Sequence, residues 1–177
     1  MKKRILSIVL CLIMVFSLLP FTASAASAVP INEETFPDPV FREYVLKIVG
    51  SSVLTEEKAR QIEVLNVSDD NIKEVLGDRA PITSLMGIRY LRYVKDLNCS
   101  GQELKKTLNL EQNSRVEKLN CSGNQLTGLW FHKGSSLKYL TCSVNEFTAL
   151  DLSKCSELIE LSCSSNKLTS LDLSANK

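Results

Sequence analysis

The sequence has a single histidine, few aromatic residues and almost no net charge, and these shortages narrow its possible functions. Its 21 basic and 20 acidic residues give a formal net charge of +1, which leaves no electrostatic footprint for nucleic acid. His132 is the only histidine, and the sequence shows no histidine and carboxylate cluster, G-x-S-x-G motif or glycine-rich phosphate loop. We therefore expect no enzyme activity, no catalytic residue, no metal site and no cofactor.

The remaining composition fits one ordinary globular or repeat domain. Of the 177 residues, 44% are apolar and 23% are charged, which excludes a disordered or collagen-like chain. The six cysteines have four possible explanations: disulfides, a metal site, a catalytic thiol or small apolar core residues. Only their spacing can decide among them.

Residues 1–25 have the features of a secretory signal peptide. Basic residues Lys2 to Arg4 precede an apolar run from Ile5 to Leu19, and an A-x-A cleavage site ends at Ala25. The apolar run is marginal for a bilayer span, so we expect a secreted or cell-surface chain with no membrane span after cleavage. Cys11 leaves with the peptide, and five cysteines remain.

Four of these cysteines belong to one column of a sequence repeat. They are separated by 22, 21 and 21 residues, and each lies in the pattern L-x-C-x-x-N-x-L, with Gln102 in place of one asparagine and Phe147 in place of one leucine. Two further columns, beginning at Leu108 and Leu110, recur every 21 residues. A fixed period in this range indicates a solenoid. The cysteine column is Cys99, Cys121, Cys142 and Cys163.

This pattern resembles the short leucine-rich repeats of secreted and surface proteins of bacteria, with an internalin-like architecture. The resemblance covers residues 62–177 and implies an α+β repeat fold, a solenoid with parallel β-strands on its concave face and a small helical N-terminal cap. Val67 aligns with Cys99 at a separation of 32 residues, so the first coil carries an insertion near residues 73–81. We expect that insertion to be an exposed loop or short helix, with regular coils from about residue 94.

Alternation along each strand sends the four cysteines inward, where a small apolar residue is readily buried. We expect reduced thiols, because parallel strands aim neighbouring side chains the same way, which is poor geometry for the alternative, a disulfide. Cys155 lies outside the column, near the convex turn, and is either a reactive exposed thiol or a buried turn residue.

Asparagines at the ends of the strands should turn inward to bond the backbone groups freed there. They are Asn124, Asn145 and Asn166. Gln102 occupies the same position in the first regular coil, where we expect its longer amide to fit less well.

Residues 26–61 are predicted to form the N-terminal cap. Pro39 favours a helix start after Asp38, and Thr55 favours the N-cap of a second helix. Similar caps carry an acidic, EF-hand-like loop between these helices, but the matching residues 49–54 hold no carboxylate, so calcium binding is not expected. The predicted buried face of the first helix is Val40, Phe41, Tyr44, Val45 and Ile48.

We expect a noncatalytic binding or adhesion module. Its partner would be a host protein, a bacterial surface protein or a glycan, and the alternative is a structural or scaffold segment of a larger bacterial surface protein. An exposed tryptophan, Trp130, beside His132 gives a second candidate surface on the convex side. The candidate concave-face residues are Asp96, Asn98, Lys118, Asn120, Tyr139, Thr141, Glu160 and Ser162.

Overall fold

Short parallel strands, each contributed by one coil of the chain, stack side by side along the molecule. The computed structural model describes residues 28–176, and the predicted signal peptide lies outside them. The helices are α1 (Pro39–Val49), α2 (Glu56–Gln61) and α3 (Asp69–Leu76), with a 3-10 turn at Ile88–Tyr90. The strands are β1 (Val29–Pro30), β2 (Val53–Leu54), β3 (Val64–Asn66), β4 (Asp96–Asn98), β5 (Lys105–Leu110), β6 (Lys118–Asn120), β7 (Gln125–Phe131), β8 (Tyr139–Thr141) and β9 (Glu160–Ser162).

Two parallel sheets form opposite walls of the solenoid. The larger has the strand order β3-β4-β6-β8-β9, and the smaller, which we call the convex sheet, consists of β5 and β7. Leucines occupy equivalent positions in the larger sheet, where Leu65 pairs with Leu97 and Leu97 with Leu119. The parallel-strand solenoid expected from the repeat is therefore confirmed, including the alignment of Val67 with Cys99. We call the outward-facing side of the larger sheet the concave face.

The cap helices begin where the sequence predicts. The Asp38 carboxylate accepts hydrogen bonds from the backbone N–H groups of Val40 and Phe41 at 3.1 and 3.0 Å, and Thr55 caps α2. The expectation for Ile48 is wrong, because that side chain is exposed and Val49 is buried instead. The buried side of the helix follows a row of residues spaced by four that ends at Val49. The adjacent row ends at Ile48, which lies outside the core.

The insertion in the first coil is partly helical. α3 begins at Asp69, four residues before the insertion expected as a loop or short helix, because Ser68 acts as its N-cap. Lys73 and Asp69 form an ion pair on its exposed side. The chain then returns through a loop, and the first of the regular repeat strands begins at Asp96.

Candidate binding surface

The cysteine column lies inside the solenoid. Cys99, Cys121 and Cys142 are fully buried and unpaired. Burial raises the pKa of Cys99 and Cys142 to about 12, and burial beside those two thiols raises the pKa of Cys121. Because the thiolate is the reactive form, these side chains are inert packing groups at neutral pH.

Cys163 differs from the rest of the column. We expected it in the core, but it is partly exposed, because among residues 28–176 no further coil covers β9. The last coil also leaves Leu173 exposed. Cys163 is therefore the most accessible thiol among the described residues.

The interpretation of Cys155 as an exposed reactive thiol is wrong. Its side chain is fully buried, and burial raises its pKa to about 11. At the same repeat position, the amide of Asn113 donates to the carbonyl oxygens of Ile88 and Leu91 at 2.9 and 3.1 Å. Cys155 thus fills a position on the inner side of the turn, where the equivalent residues Asn113 and Asn176 bond backbone carbonyls with their amides.

The asparagines at the strand ends form a ladder that is buried at Asn124 and Asn145 and partly buried at Asn166. The Asn124 amide donates to the carbonyls of Cys99 and Cys121 at 2.9 and 3.0 Å, and Asn145 and Asn166 repeat this arrangement one coil further on. Gln102 keeps two of these bonds: its Nε2 donates to the Val67 carbonyl at 3.0 Å, and its Oε1 accepts from the Ile82 N–H at 2.7 Å. Among the described residues, it makes no bond to a carbonyl of its own coil, such as the one that Asn124 makes to Cys121, so the longer amide replaces the asparagine only in part.

The raised thiol pKa values predict a loss of stability in alkali. The ordinary cysteine pKa is 9.0, so above about pH 9 the unfolded chain releases protons that the folded chain retains, and the free energy of unfolding falls with pH. We expect the denaturant midpoint to fall between about pH 9 and pH 12, over the interval set by the Cys99 pKa. A Cys99→Ala variant should show a shallower fall, and equal slopes for the two proteins would contradict the prediction.

On the concave face, a lysine and a tyrosine from adjacent strands lie at the centre of the sheet. The Lys118 Nζ is 5.6 Å from the centroid of the Tyr139 ring, a cation–π geometry. Tyr139 is 38% exposed, so its ring remains available. Beside these strands, Lys138 and Glu117 form an ion pair at 3.0 Å, and that hydrogen bond lowers the pKa of Glu117.

The amide and hydroxyl candidates on this face are partly occupied. The Asn98 and Asn120 Oδ1 atoms each accept the backbone N–H two residues on, at 3.1 Å, so these side chains shape the turns that follow the strands. The Ser162 hydroxyl lies 3.0 Å from that of Ser143. Thr141 and Glu160 are exposed, and Asp96 is half-buried.

The sequence prediction missed an apolar region at the first strand of this face. Val64 is 68% exposed and pairs with Asp96 in the parallel register. It borders a depression of about 290 Å³, which Ile48 and Tyr44 also line. Because Leu65 aligns with Leu97, strand alternation predicts that Val64 points outward. The sequence prediction omitted Val64 because the irregular first coil was not included among the candidate strands.

The convex candidates are also at the surface. Trp130 is 55% exposed and pairs with Asn109 across the convex sheet, and His132 is exposed. The nearby Asp151 side chain accepts hydrogen bonds from Ser153, which lower its pKa. The structure thus separates the proposed contact residues into two groups on different sheets.

The parallel coils and buried ladders define a leucine-rich-repeat solenoid, a class of fold that offers an extended concave binding surface. The functional domain of InlJ from Listeria monocytogenes, described as including a cysteine ladder, is similar to 88% of this chain with 29% sequence identity and a TM-score of 0.71. An internalin, inlF, from Listeria monocytogenes str. 4b F2365 is similar to 85% of the chain with 22% identity and a TM-score of 0.56. The protein therefore has an internalin-like leucine-rich-repeat architecture.

The chain covers 32% of the InlJ structure and 40% of the inlF structure. No protein-family model matches the sequence, and no curated protein is similar to it. Across residues 28–176, no helix combines the length and the apolar character needed to cross a membrane.

Proposed function

We propose that the protein is a secreted, noncatalytic leucine-rich-repeat module that binds a protein partner through its concave face. The exposed Tyr139 ring beside Lys118 is the observation that carries the proposal, because aromatic residues at the centre of a surface are typical binding hot spots. The internalin-like architecture supports the same function, because this solenoid presents a continuous row of outward side chains from successive coils.

The chemistry of the concave face favours a protein partner. It combines an apolar region at Val64, an aromatic centre at Tyr139 and charged groups of both signs, including Glu160. Protein interfaces have this arrangement, with apolar and aromatic anchors surrounded by a polar rim. The depression beside Val64 offers a place for one apolar side chain of the partner.

The proposal divides the chain into three functional parts. Residues 1–25 direct secretion, residues 26–61 cap the apolar end of the solenoid, and residues 62–177 present the binding surface. The signal-like sequence supports secretion, and the buried residues of α1, which include Phe41 and Val45, support a capping role.

Paired surface substitutions test the proposal. Chain 26–177 would be biotinylated and incubated with detergent extracts of mammalian and bacterial cell surfaces, and captured proteins would be quantified by mass spectrometry. The Lys118→Ser, Tyr139→Ser double variant should capture a specific partner about tenfold less well. The matched control, Trp130→Ser with His132→Ser, should capture it at the level of the unmodified chain.

Three outcomes would oppose the concave-face assignment. Loss of the partner only in the convex control would move the site to Trp130 and His132. Binding confined to an immobilised glycan panel would replace the protein partner with a carbohydrate. Capture of no protein by any form of the chain would favour the alternative, a structural or scaffold segment, which the partly exposed apolar residues of the last coil, such as Leu173, also support.

A further inference from the structure

A groove runs beside β5, on the side of the convex sheet away from β7. Within residues 28–176, β5 pairs with β7 alone, so its other edge has no strand partner. The preceding coil starts beside the residues that lead into β5, because the Ile82 carbonyl accepts the Glu103 N–H at 3.1 Å. It then bows away from β5, and the backbone N–H groups of Thr83 and Ser84 donate to the Asp38 carboxylate at 2.8 and 3.2 Å.

The bowed segment rejoins the solenoid six residues later. The Asn113 amide holds the Ile88 carbonyl at 2.9 Å, at the far end of β5. A strand layer is thus missing between two fixed points, and a groove of about 490 Å³ occupies the gap, a volume in the range of ligand sites. Both the inward Leu108 and the outward Thr107 line the groove, so it follows the edge of the strand rather than one face.

An unpaired strand edge is complementary to an extended polypeptide. In a parallel pair, alternate residues direct their N–H and C=O groups to one neighbour, so β5 presents the remaining groups to the groove. β5 has six residues, and the four that follow the left-handed Lys106, from Thr107 to Leu110, form about 13 Å of regular strand. A guest strand of similar length would complete the missing layer by β-strand addition.

The charges around the groove select an acidic guest. Arg89 and Lys105 line it, Lys106 adjoins it, and none of the three forms an ion pair within the described residues. The acidic lining residue, Glu111, already lies 3.8 Å from the Lys154 ammonium. Met86, which is 54% exposed, adds a flexible apolar wall that can adapt to different side chains.

The same edge opposes pairing with a second copy of the chain. Two adjacent lysines begin β5, and the backbone of the second, Lys106, is left-handed with φ +64°. Lysines and an interrupted strand backbone discourage pairing between identical edges. An acidic extended segment of another protein avoids the charge repulsion that a second β5 would meet.

We propose that this edge groove binds an extended acidic peptide as an added β-strand next to β5. The binding is separate from the concave-face function, because the groove lies on the other sheet. A fluorescein-labelled hexapeptide, Asp-Thr-Val-Thr-Val-Asp, would be titrated with chain 26–177 and followed by fluorescence anisotropy. Two versions of the peptide, N-methylated on one or the other alternating set of amides, would be titrated in parallel.

Strand addition predicts an alternating result. One N-methylated set should raise the Kd by about tenfold or more, and the other set should leave the Kd nearly unchanged, because only alternate amides face β5. Lys105→Glu should also raise the Kd by about tenfold, whereas the matched variant Lys133→Glu, at another exposed lysine, should not. The concave variant Tyr139→Ser should leave peptide affinity unchanged.

The proposal is overturned by any of three results. The peptide fails to bind at concentrations up to about 1 mM, both N-methylated sets bind as the parent does, or Lys105→Glu and Lys133→Glu have equal affinities. Loss of cell-surface capture with retained peptide binding would separate failure of the concave-face function from failure of this groove.

Discussion

Replacing Asn145 by alanine should lower the free energy of unfolding by about 4 kcal/mol, because it orphans several buried backbone groups at once. The Asn145 amide donates to the carbonyls of Cys121 and Cys142 at 2.9 and 3.2 Å, and its Oδ1 accepts the Leu126 N–H at 3.0 Å. Alanine satisfies none of them, and the site is buried, since Asn145 is only 7% exposed. Thermal unfolding should shift down by about 8–16 °C for a domain of this size.

Asn120→Ala is the matched control for that experiment. The Asn120 side chain faces outward and accepts the Ser122 N–H alone, at 3.1 Å, so its loss should cost below about 1 kcal/mol. Chemical denaturation of both variants gives the comparison. Equal destabilisation by Asn145→Ala and Asn120→Ala would mean that the inner asparagine ladder does not hold the coils together.

Replacing Asp38 by alanine should cost about 3 kcal/mol, because one buried carboxylate caps a helix and also anchors a distant loop. Its Oδ1 accepts the first N–H groups of α1, and its Oδ2 accepts the Thr83 N–H and hydroxyl at 2.8 and 3.0 Å. The substitution would release both the cap and residues 83–84. Hydrogen exchange should therefore accelerate at the Thr83 and Ser84 amides as well as at the start of α1.

Two variants define the origin of the Asp38 effect. Asp70→Ala alters an exposed first-turn aspartate of α3 and should change stability by less than about 0.5 kcal/mol. Asp38→Asn keeps one carbonyl oxygen as an acceptor, so we expect an intermediate loss. Slow exchange at Thr83 in Asp38→Ala would show that the loop does not depend on this carboxylate.

The repeat made the main architecture predictable from sequence, because its columns report which side chains must stack. The spacing of Cys99 and its counterparts predicts the parallel strands, and Asp38 and Thr55 carry ordinary helix-capping signals. Surface residues such as Tyr139 follow from strand alternation alone. The internal period therefore constrains both the core and the outward rows of the solenoid.

Features outside the strict period were harder to predict. Cys155 was ambiguous because a turn residue faces either way, and its burial depends on packing from neighbouring coils. Gln102 bonds Val67 and Ile82, on the two sides of the insertion, and the repeat does not encode these partners. The groove beside β5 arises where residues 82–88 leave the solenoid to reach Asp38, a contact across 45 residues.

The cysteine column is a packed core of free thiols. Alkylation of chain 26–177 with iodoacetamide at neutral pH, followed by mass spectrometry, tests this directly. In the native state Cys163 should be modified first, because Cys99, Cys121, Cys142 and Cys155 are buried, and after unfolding without reductant all five thiols should be modified. Fewer than five modified thiols after unfolding, or rapid native labelling of Cys121, would contradict a packed core of free thiols.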